Sequence, residues 1–533
     1  MLEIAFRPDR TSAVPLARQL ADHLAALIEA GRVPAGGKLP ATREVATALD
    51  VGRKTVTAAY EILSVRGLVA AHVGQGTFVT ARAPASRRLA PVDTDAGERP
   101  PRAFAWSGLF ARAAGPRRSG LWHPDPAGAY PFDFRGGRID ASALPVQELR
   151  WAFAHAFRTR SRLQAMAGHL DPFGWPPLRR EIARHLASRG IACDPSDVAV
   201  VSGLQQAISL SARVLVEPGD AVAMEQPGYF GAALAFAGAG ADLLGIDVDA
   251  DGIDTERLAR ILRVRRAKLV YVTPATQSPT GAALHPERRD ALLALADEYQ
   301  VPIFEDDYDC ELRYAGPALP ALKASDPAGH VIHAGTFSKV LFPSLRLGYV
   351  VAARPLLERI VTLRAVADFG SGIVEQAAIA TLLATRGLER HVLRIRKHYG
   401  ERLDAVLAAL QREMPEEVSW TRPRSGHVVW LTLPAKTDPD RLQQAALARG
   451  VAYTRGESFH FDGRGGDRAL LSFAASAPAV IAEGVALLAA AIREQVASRR
   501  PTEGRAGKAP SGPERARRRA PARGAKRRSD AAE

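Results

Sequence analysis

Cysteine is almost missing from these 533 residues: Cys193 and Cys310 are the only two. Far apart and matching no metal-ligand spacing, they exclude a disulfide framework and suit a reducing, cytoplasmic compartment. Long apolar runs are missing too. No stretch reaches the ~18 to 20 residues that a membrane span requires, and the N-terminus has no basic start followed by a hydrophobic segment. A membrane role is therefore not expected. Acidic residues are in deficit, with 57 Asp and Glu against 71 Lys and Arg and a formal charge of +14. That surplus alone would suggest a nucleic-acid partner, yet much of it is local: Arg499 to Glu533 holds 12 basic and 4 acidic residues. Residues 498–533 are also rich in Pro, Gly, Ala and Ser, too polar to bury a core, so the expectation is a solvated, disordered tail. Non-specific contact with DNA phosphates is its functional alternative.

The remaining length calls for at least two domains, one of them large. In "PLARQLADHLAALIEA", residues 15–30, the residues Leu16, Leu20, Leu24, Leu27 and Ile28 recur at helical spacing behind a proline suited to a first turn. "GRVPAGGKLP" interrupts, Thr42 is placed to cap a short helix through "REVATALD", and "VGRKTVTAAYEILSVRG" supplies a third helix ending at Gly67. Two β-prone runs around Gly-Gln-Gly follow. Three helices and a hairpin over residues 11–80 predict a winged helix-turn-helix. Residues 81–130, rich in Ala, Pro and Arg, read as a linker whose flexible coil would span ~40 Å. Over 131–497, β-prone runs such as "VAVVSG", "KLVYVTP", "VPIFEDD" and "HVIHAGT" alternate with helical stretches. That alternation predicts an α/β domain on a largely parallel sheet.

Ligands of open α/β sheets sit at the carboxyl ends of the strands, and chemistry-bearing residues crowd those ends here. "HAGTFSKVLFPSLRLGY" brings Thr336, Lys339 and Arg346; "IFEDDYD" ends a strand with Asp306 and Tyr308. "VVSGLQQA" runs from a strand through Ser202 and Gly203 into a helix whose first amides, Leu204 and Gln205, are free to meet an anion, to which Arg346 adds a bidentate contact. Tyr229 in "EQPGYFGA" offers an aromatic platform, and "YVTPATQSPTGAAL" sets Ser278 before a tight turn. Taken singly, such residues are ordinary caps and solvated side chains. "EDDYDCE" read as a metal cluster lacks a histidine or further carboxylates at matching spacing, so no metal is expected. A phosphate cradle, a platform, a buried carboxylate and a lysine together describe a site for pyridoxal 5'-phosphate. There the lysine forms a Schiff base, the carboxylate keeps the pyridine nitrogen protonated, and Tyr308 bonds the ring oxygen.

Residues 11–80 ("GRVPAGGKLPATREVATALDVGRKTV", "GQGTFV") resemble the winged helix of GntR-type regulators, and residues 131–495 resemble fold-type I aminotransferases. Both in this order resemble the MocR family, bacterial transcription factors whose aminotransferase-like domain senses pyridoxal phosphate or an amino compound. "EDDYD", "GTFSK" and "LRLGY" carry the resemblance. It implies that Lys339 bears the internal aldimine, that Asp306 meets the pyridine nitrogen and Tyr308 the ring hydroxyl, and that Tyr229 stacks. Arg346, Thr336 and the Leu204 and Gln205 amides hold the phosphate. It implies a homodimer, head to tail, each winged helix lying over the partner's large domain. Three positions depart from the pattern. His169 stands where a tyrosine usually reaches the partner subunit's phosphate, and Ala275 and Thr276 replace Ser-His beside the substrate. Where an arginine usually grips the substrate carboxylate, before a Leu-Ser-Phe run, "DRALLSF" has Leu470, with Arg468 two places earlier.

A winged helix lays its third helix in the major groove and its hairpin near the minor groove. Arg43 and Arg53 are the expected base readers, since guanidinium bonds guanine bidentately; Lys54 and Thr55 are expected on phosphates, with Thr57 on the same helix and His72 and Gln75 on the wing. The leading expectation is a regulator of double-stranded operator DNA whose pyridoxal-phosphate domain senses an amino compound or vitamer. The alternative is a working aminotransferase that carries a DNA-binding domain; Lys339 and Asp306 suit it, whereas Leu470 and the "ATQS" loop do not.

Overall fold

The computed structural model describes residues 6–72, 74–80, 125–168, 171–316 and 319–497. The tail at 498–533, His169 and most of the 81–130 linker lie outside these residues. By its internal contacts the chain divides into two compact units, Met1–Trp106 and Ser107–Glu533.

In the smaller unit three helices, α1 (Leu16–Glu29), α2 (Thr42–Ala48) and α3 (Arg53–Val65), precede a hairpin of β1 (Val69–His72) and β2 (Gly76–Val79). Of the apolar stripe read on α1, Leu20 and Leu24 are buried in one cluster with Val45, Val56, Leu63 and Val79, Leu27 and Ile28 pack against it half-buried, and Leu16 stays outside it. Thr42 is not a cap: α2 begins on it, the cap position is Ala41, and the Glu44 carboxylate accepts from the Ala41 N–H at 3.3 Å. A longer acidic side chain one turn on reaches back where a threonine inside the helix cannot. Gly67 follows α3 at φ +69°, the left-handed turn that stops a helix. The segment before α2 joins the wing as a third edge, Lys38 bridging Phe78 and the Leu39 N–H donating to Thr77 O at 2.8 Å.

The larger unit is built on an eight-stranded sheet. Its spatial order is Val198–Val201, Gly348–Val351, Val331–Thr336, Ile303–Asp307, Ala267–Val272, Ala221–Gln226, Asp242–Asp249 and Gly252–Ile253. Five successive strands, Val331–Thr336 through Asp242–Asp249, pair in parallel; Gly348–Val351 runs antiparallel to both neighbours. The central strands are buried on both faces, as continuous apolar runs require. A second sheet of five strands, Ser419–Trp420, Val428–Thr432, Arg468–Ser472, Val451–Arg455 and Phe132–Phe134, carries the C-terminal part with the helices Gly387–Glu413 and Pro478–Ala497. No described helix is long and apolar enough to cross a membrane.

Candidate functional site

All the parallel strands end at one edge of the larger sheet, and the residues singled out in the sequence gather there. Lys339, Asp306, Tyr308, Tyr229, Leu204, Gln205, Ser278, Thr336 and Arg346 line one cavity of about 220 Å³. Asp306 comes from the end of Ile303–Asp307, and Thr336 from the end of the adjoining Val331–Thr336. Lys339 stands in the turn that follows, its Nζ 5.8 Å from the Tyr308 ring centre. The antiparallel strand is what delivers Arg346. Because Gly348 pairs with Thr336 on one side and Val201 on the other, the residue two before it lands at the same edge as the parallel strand ends.

The anion end of the cavity is assembled from backbone. Helix Leu204–Leu215 starts here with Gly203 as its cap, so the Leu204 and Gln205 amides belong to the first turn, where no helical carbonyl precedes them. The Arg346 Nη2 donates to Ser202 O at 2.9 Å and is thereby held against that turn. Gly203 sits at φ +83°, and a Cβ there would lie 2.8 Å from the guanidinium, so both conformation and space require glycine. Ser202 and Gly203 support the cavity from behind without lining it: the Ser202 hydroxyl is 3.0 Å from Ser371 Oγ and 3.3 Å from Asp368 Oδ2. Tyr229 caps the next helix, Phe230–Ala239, and donates to Gln205 Oε1 at 3.0 Å.

At the opposite end Asp306 is buried. The Tyr271 hydroxyl donates to Oδ2, while Oδ1 has no protein partner. Burial above all, then the charges of Asp307 and Glu225, pushes this carboxyl up to about 8, against the Tyr271 hydrogen bond and the Lys339 charge. Its acidic neighbours are better paired, although Asp307 Oδ1 is bare as well. Asp307 meets Arg189 Nη2 at 2.9 Å, and Glu305 meets His333 Nδ1 at 2.9 Å and the Leu322 and Lys323 amides. Glu225, raised to about 7 by burial, accepts from the Thr273 amide and hydroxyl. Thr273 Oγ1 in turn receives the Ser278 N–H at 3.0 Å, and Ser278 hydrogen-bonds Tyr308. Sequence reading had not singled out Tyr271, Thr273, Glu225 or Ser338. Only strand register reveals Tyr271, which faces Phe304 one position before Asp306's neighbour Glu305.

These residues fit pyridoxal phosphate. A buried carboxyl with a bare oxygen suits a protonated ring nitrogen, free amides and a guanidinium suit a phosphate, and a lysine between them suits an aldehyde.

In the smaller unit Arg43, Arg53, Lys54 and Thr57 are exposed on α2 and α3, Thr55 is half-buried, and His72 and Gln75 are exposed on the hairpin. The Arg53 Nε lies 3.4 Å from Thr42 Oγ1, which brings the starts of the two helices together.

An open, mostly parallel sheet with a lysine, a buried carboxyl and a helix N-terminus at its carboxyl edge is the arrangement of the fold-type I aminotransferase class. Residues 137–486 match the family model of aminotransferase class I and II, and residues 16–79 that of the gntR family of bacterial regulatory proteins. The probable rhizopine catabolism regulatory protein MocR of Rhizobium meliloti is 33% identical over 90% of this chain and 94% of its own. The HTH-type transcriptional regulator TauR of Rhodobacter capsulatus is 34% identical over 87% of this chain and 94% of its own. LysN, the α-aminoadipate aminotransferase of Thermus thermophilus, was solved in complex with N-(5'-phosphopyridoxyl)-L-leucine. It superposes with a TM-score of 0.67 at 30% identity, covering 74% of this chain and all of that one. The chain belongs to the MocR-type regulators, a GntR helix-turn-helix joined to an aminotransferase domain whose cofactor is pyridoxal 5'-phosphate.

Asp306 generates a pH dependence. Its folded pKa lies above its ordinary value of 3.8, so its contribution to stability is complete below about pH 4 and lost as pH rises through about 8. In cofactor-free protein the thermal midpoint should fall between about pH 5 and about pH 8, and Asp306→Asn should make that fall shallower. Equal slopes in differential scanning fluorimetry would contradict it.

Proposed function

We propose that the protein is a cytoplasmic regulator that binds operator DNA through α3 and the hairpin, and that its larger unit senses an amino compound or a vitamer at the Lys339 cavity. The observation that carries this reading is the complete cofactor constellation, Lys339 between the bare Asp306 carboxyl and the Arg346 cradle, in a chain that also holds a GntR-type unit. Pyridoxal phosphate, when bound, supplies an aldehyde that condenses with amines and a ring that accepts electrons. Lys339 provides the amine for attachment. Asp306 Oδ1 would accept the ring N–H and keep the proton there, and the Tyr308 hydroxyl, positioned by Ser278, would serve the ring oxygen. Tyr229 would offer the ring a platform. The Leu204 and Gln205 amides, Thr336 and Arg346 would hold the phosphate.

A working aminotransferase is the second reading, favoured by the likeness to LysN and by the same Lys339 and Asp306. The apolar Leu470 leans against it for amino-acid substrates. Lys339→Ala separates the two readings. It should lose the visible absorption of bound cofactor and the borohydride-trapped adduct, stay folded, and still bind operator. In a sensor the response of DNA binding to cofactor or amine, typically ~1 to 3 kcal/mol of coupling, disappears with it. Wild-type turnover of an amino donor and a keto acid, with operator affinity unchanged by cofactor or amines, would overturn the sensor.

For the DNA surface, Arg53→Ala should weaken operator binding by ~1 to 3 kcal/mol, while Lys54→Ala weakens binding to all sequences and lowers the salt dependence. Equal losses on operator and random DNA in fluorescence anisotropy would contradict this division. A homodimer is the expected assembly. Trp151, Phe157 and Leu163, all about half exposed on and between helices Val146–Ala156 and Arg160–Ala167, give the larger unit an apolar face for it. Light scattering at working concentration should report twice the chain mass; a monomer there would refute it.

A further inference from the structure

The cavity at Lys339 continues into a second of about 280 Å³, and Gly137, Tyr229, Ser278, Tyr308 and Lys339 line both. An amine that reaches Lys339 extends its substituents into this second space, whose walls therefore select among amines.

Those walls are poor in free positive charge. Leu470, 4% exposed and packed with Trp430, Phe459 and Val428, lines the space from strand Arg468–Ser472. Arg468 stands two residues back on that strand, but its Nη1 donates to the Asp467 carbonyl and to the Asp467 carboxylate at 2.7 Å. It lines a separate groove beside Trp430 and His460. The guanidinium among the described residues of the second cavity is Arg138, and Asp133 Oδ2 holds it at 2.8 Å.

Acceptors are plentiful by contrast. Asp125 takes a hydrogen bond from Thr454 at the cavity wall. His427 is 5% exposed; its Nδ1 lies 3.1 Å from Asp309 Oδ2, and its Nε2 has no protein partner. A carboxylate accepts, so Nδ1 carries the proton, and in the neutral ring Nε2 is left with a lone pair. The cavity thus combines an aliphatic wall with a buried acceptor and two carboxylates, surroundings that disfavour an anionic ligand and suit a donor.

We infer that the second cavity takes primary amines whose far end carries a hydrogen-bond donor, a hydroxyl or a second amine, and no carboxylate, with His427 Nε2 as the acceptor. This rests on the reading of Lys339 as the cofactor lysine.

The test titrates the cofactor-loaded full chain with 3-aminopropan-1-ol and 1,3-diaminopropane against β-alanine and L-alanine, following the visible absorption band. The alcohol and the diamine should half-saturate at concentrations at least ~10-fold lower than the amino acids, a difference of ~1.4 kcal/mol. His427→Phe should abolish that preference, and His427→Gln, whose amide oxygen accepts, should keep it. Leu470→Arg offers a gain that misfolding cannot imitate: its response to L-alanine should sharpen by ~10-fold. If β-alanine or L-alanine shifts the wild-type band at concentrations as low as the alcohol does, the ligand class is overturned and the cofactor reading stands. If wild-type protein shows no cofactor band, the reading of Lys339 fails and takes this inference with it.

Discussion

Asp306 is 2% exposed, and its carboxyl has one hydrogen bond, from Tyr271, for its two oxygens. Leaving a polar atom bare in such surroundings costs on the order of 1–3 kcal/mol, and most oxygens of its acidic neighbours avoid that cost, Asp307 Oδ1 excepted. Asp307 has Arg189, Glu305 has His333 and two amides, and Glu225 has Thr273 and Gln277. Asp307, with that one bare oxygen, is still paired with the Arg189 cation, whereas among the described residues Asp306 has no ion-pair partner. Asp306 Oδ1 is therefore left open to a donor delivered from the cavity.

At the cavity edge the sheet reverses direction at Gly348–Val351, as it does again at the outermost Gly252–Ile253. Parallel strands place Asp306 and Thr336 at one edge by their ends, while the antiparallel Gly348–Val351 reaches the same edge by its beginning and brings Arg346 with it. Close packing follows. Gly348 has no room for a side chain, since a Cβ would lie 2.7 Å from Gly335 O, and Gly203 is pressed against the Arg346 guanidinium. Two glycines remote in sequence therefore pack together beside Arg346.

Much of this was legible beforehand because short segments carry it. "EDDYD", "GTFSK", "LRLGY" and the Ser-Gly cap each hold their chemistry within a few residues, and alternation of β-prone and helical runs was enough to anticipate a parallel sheet. What escaped the sequence depends on register or on contacts between remote segments. Tyr271 becomes a partner of Asp306 only when Ala267–Val272 pairs with Ile303–Asp307 at one offset rather than another. His427, more than a hundred residues from Asp309, meets it through a different sheet altogether. The helix start at Thr42 was misplaced by one residue because Glu44 offered a longer reach than the sequence pattern took into account.

The strap before α2 has a mechanical consequence. Its backbone is stitched to the wing through Leu39 and Thr77, and its Pro40 carbonyl accepts from the Tyr60 hydroxyl at 2.9 Å, so the hairpin and α3 are tied to a common piece of chain. Gly36 and Gly37 close the same strap onto Val79. Within the smaller unit the hairpin and α3 are therefore braced on a common frame, like the two jaws of a caliper.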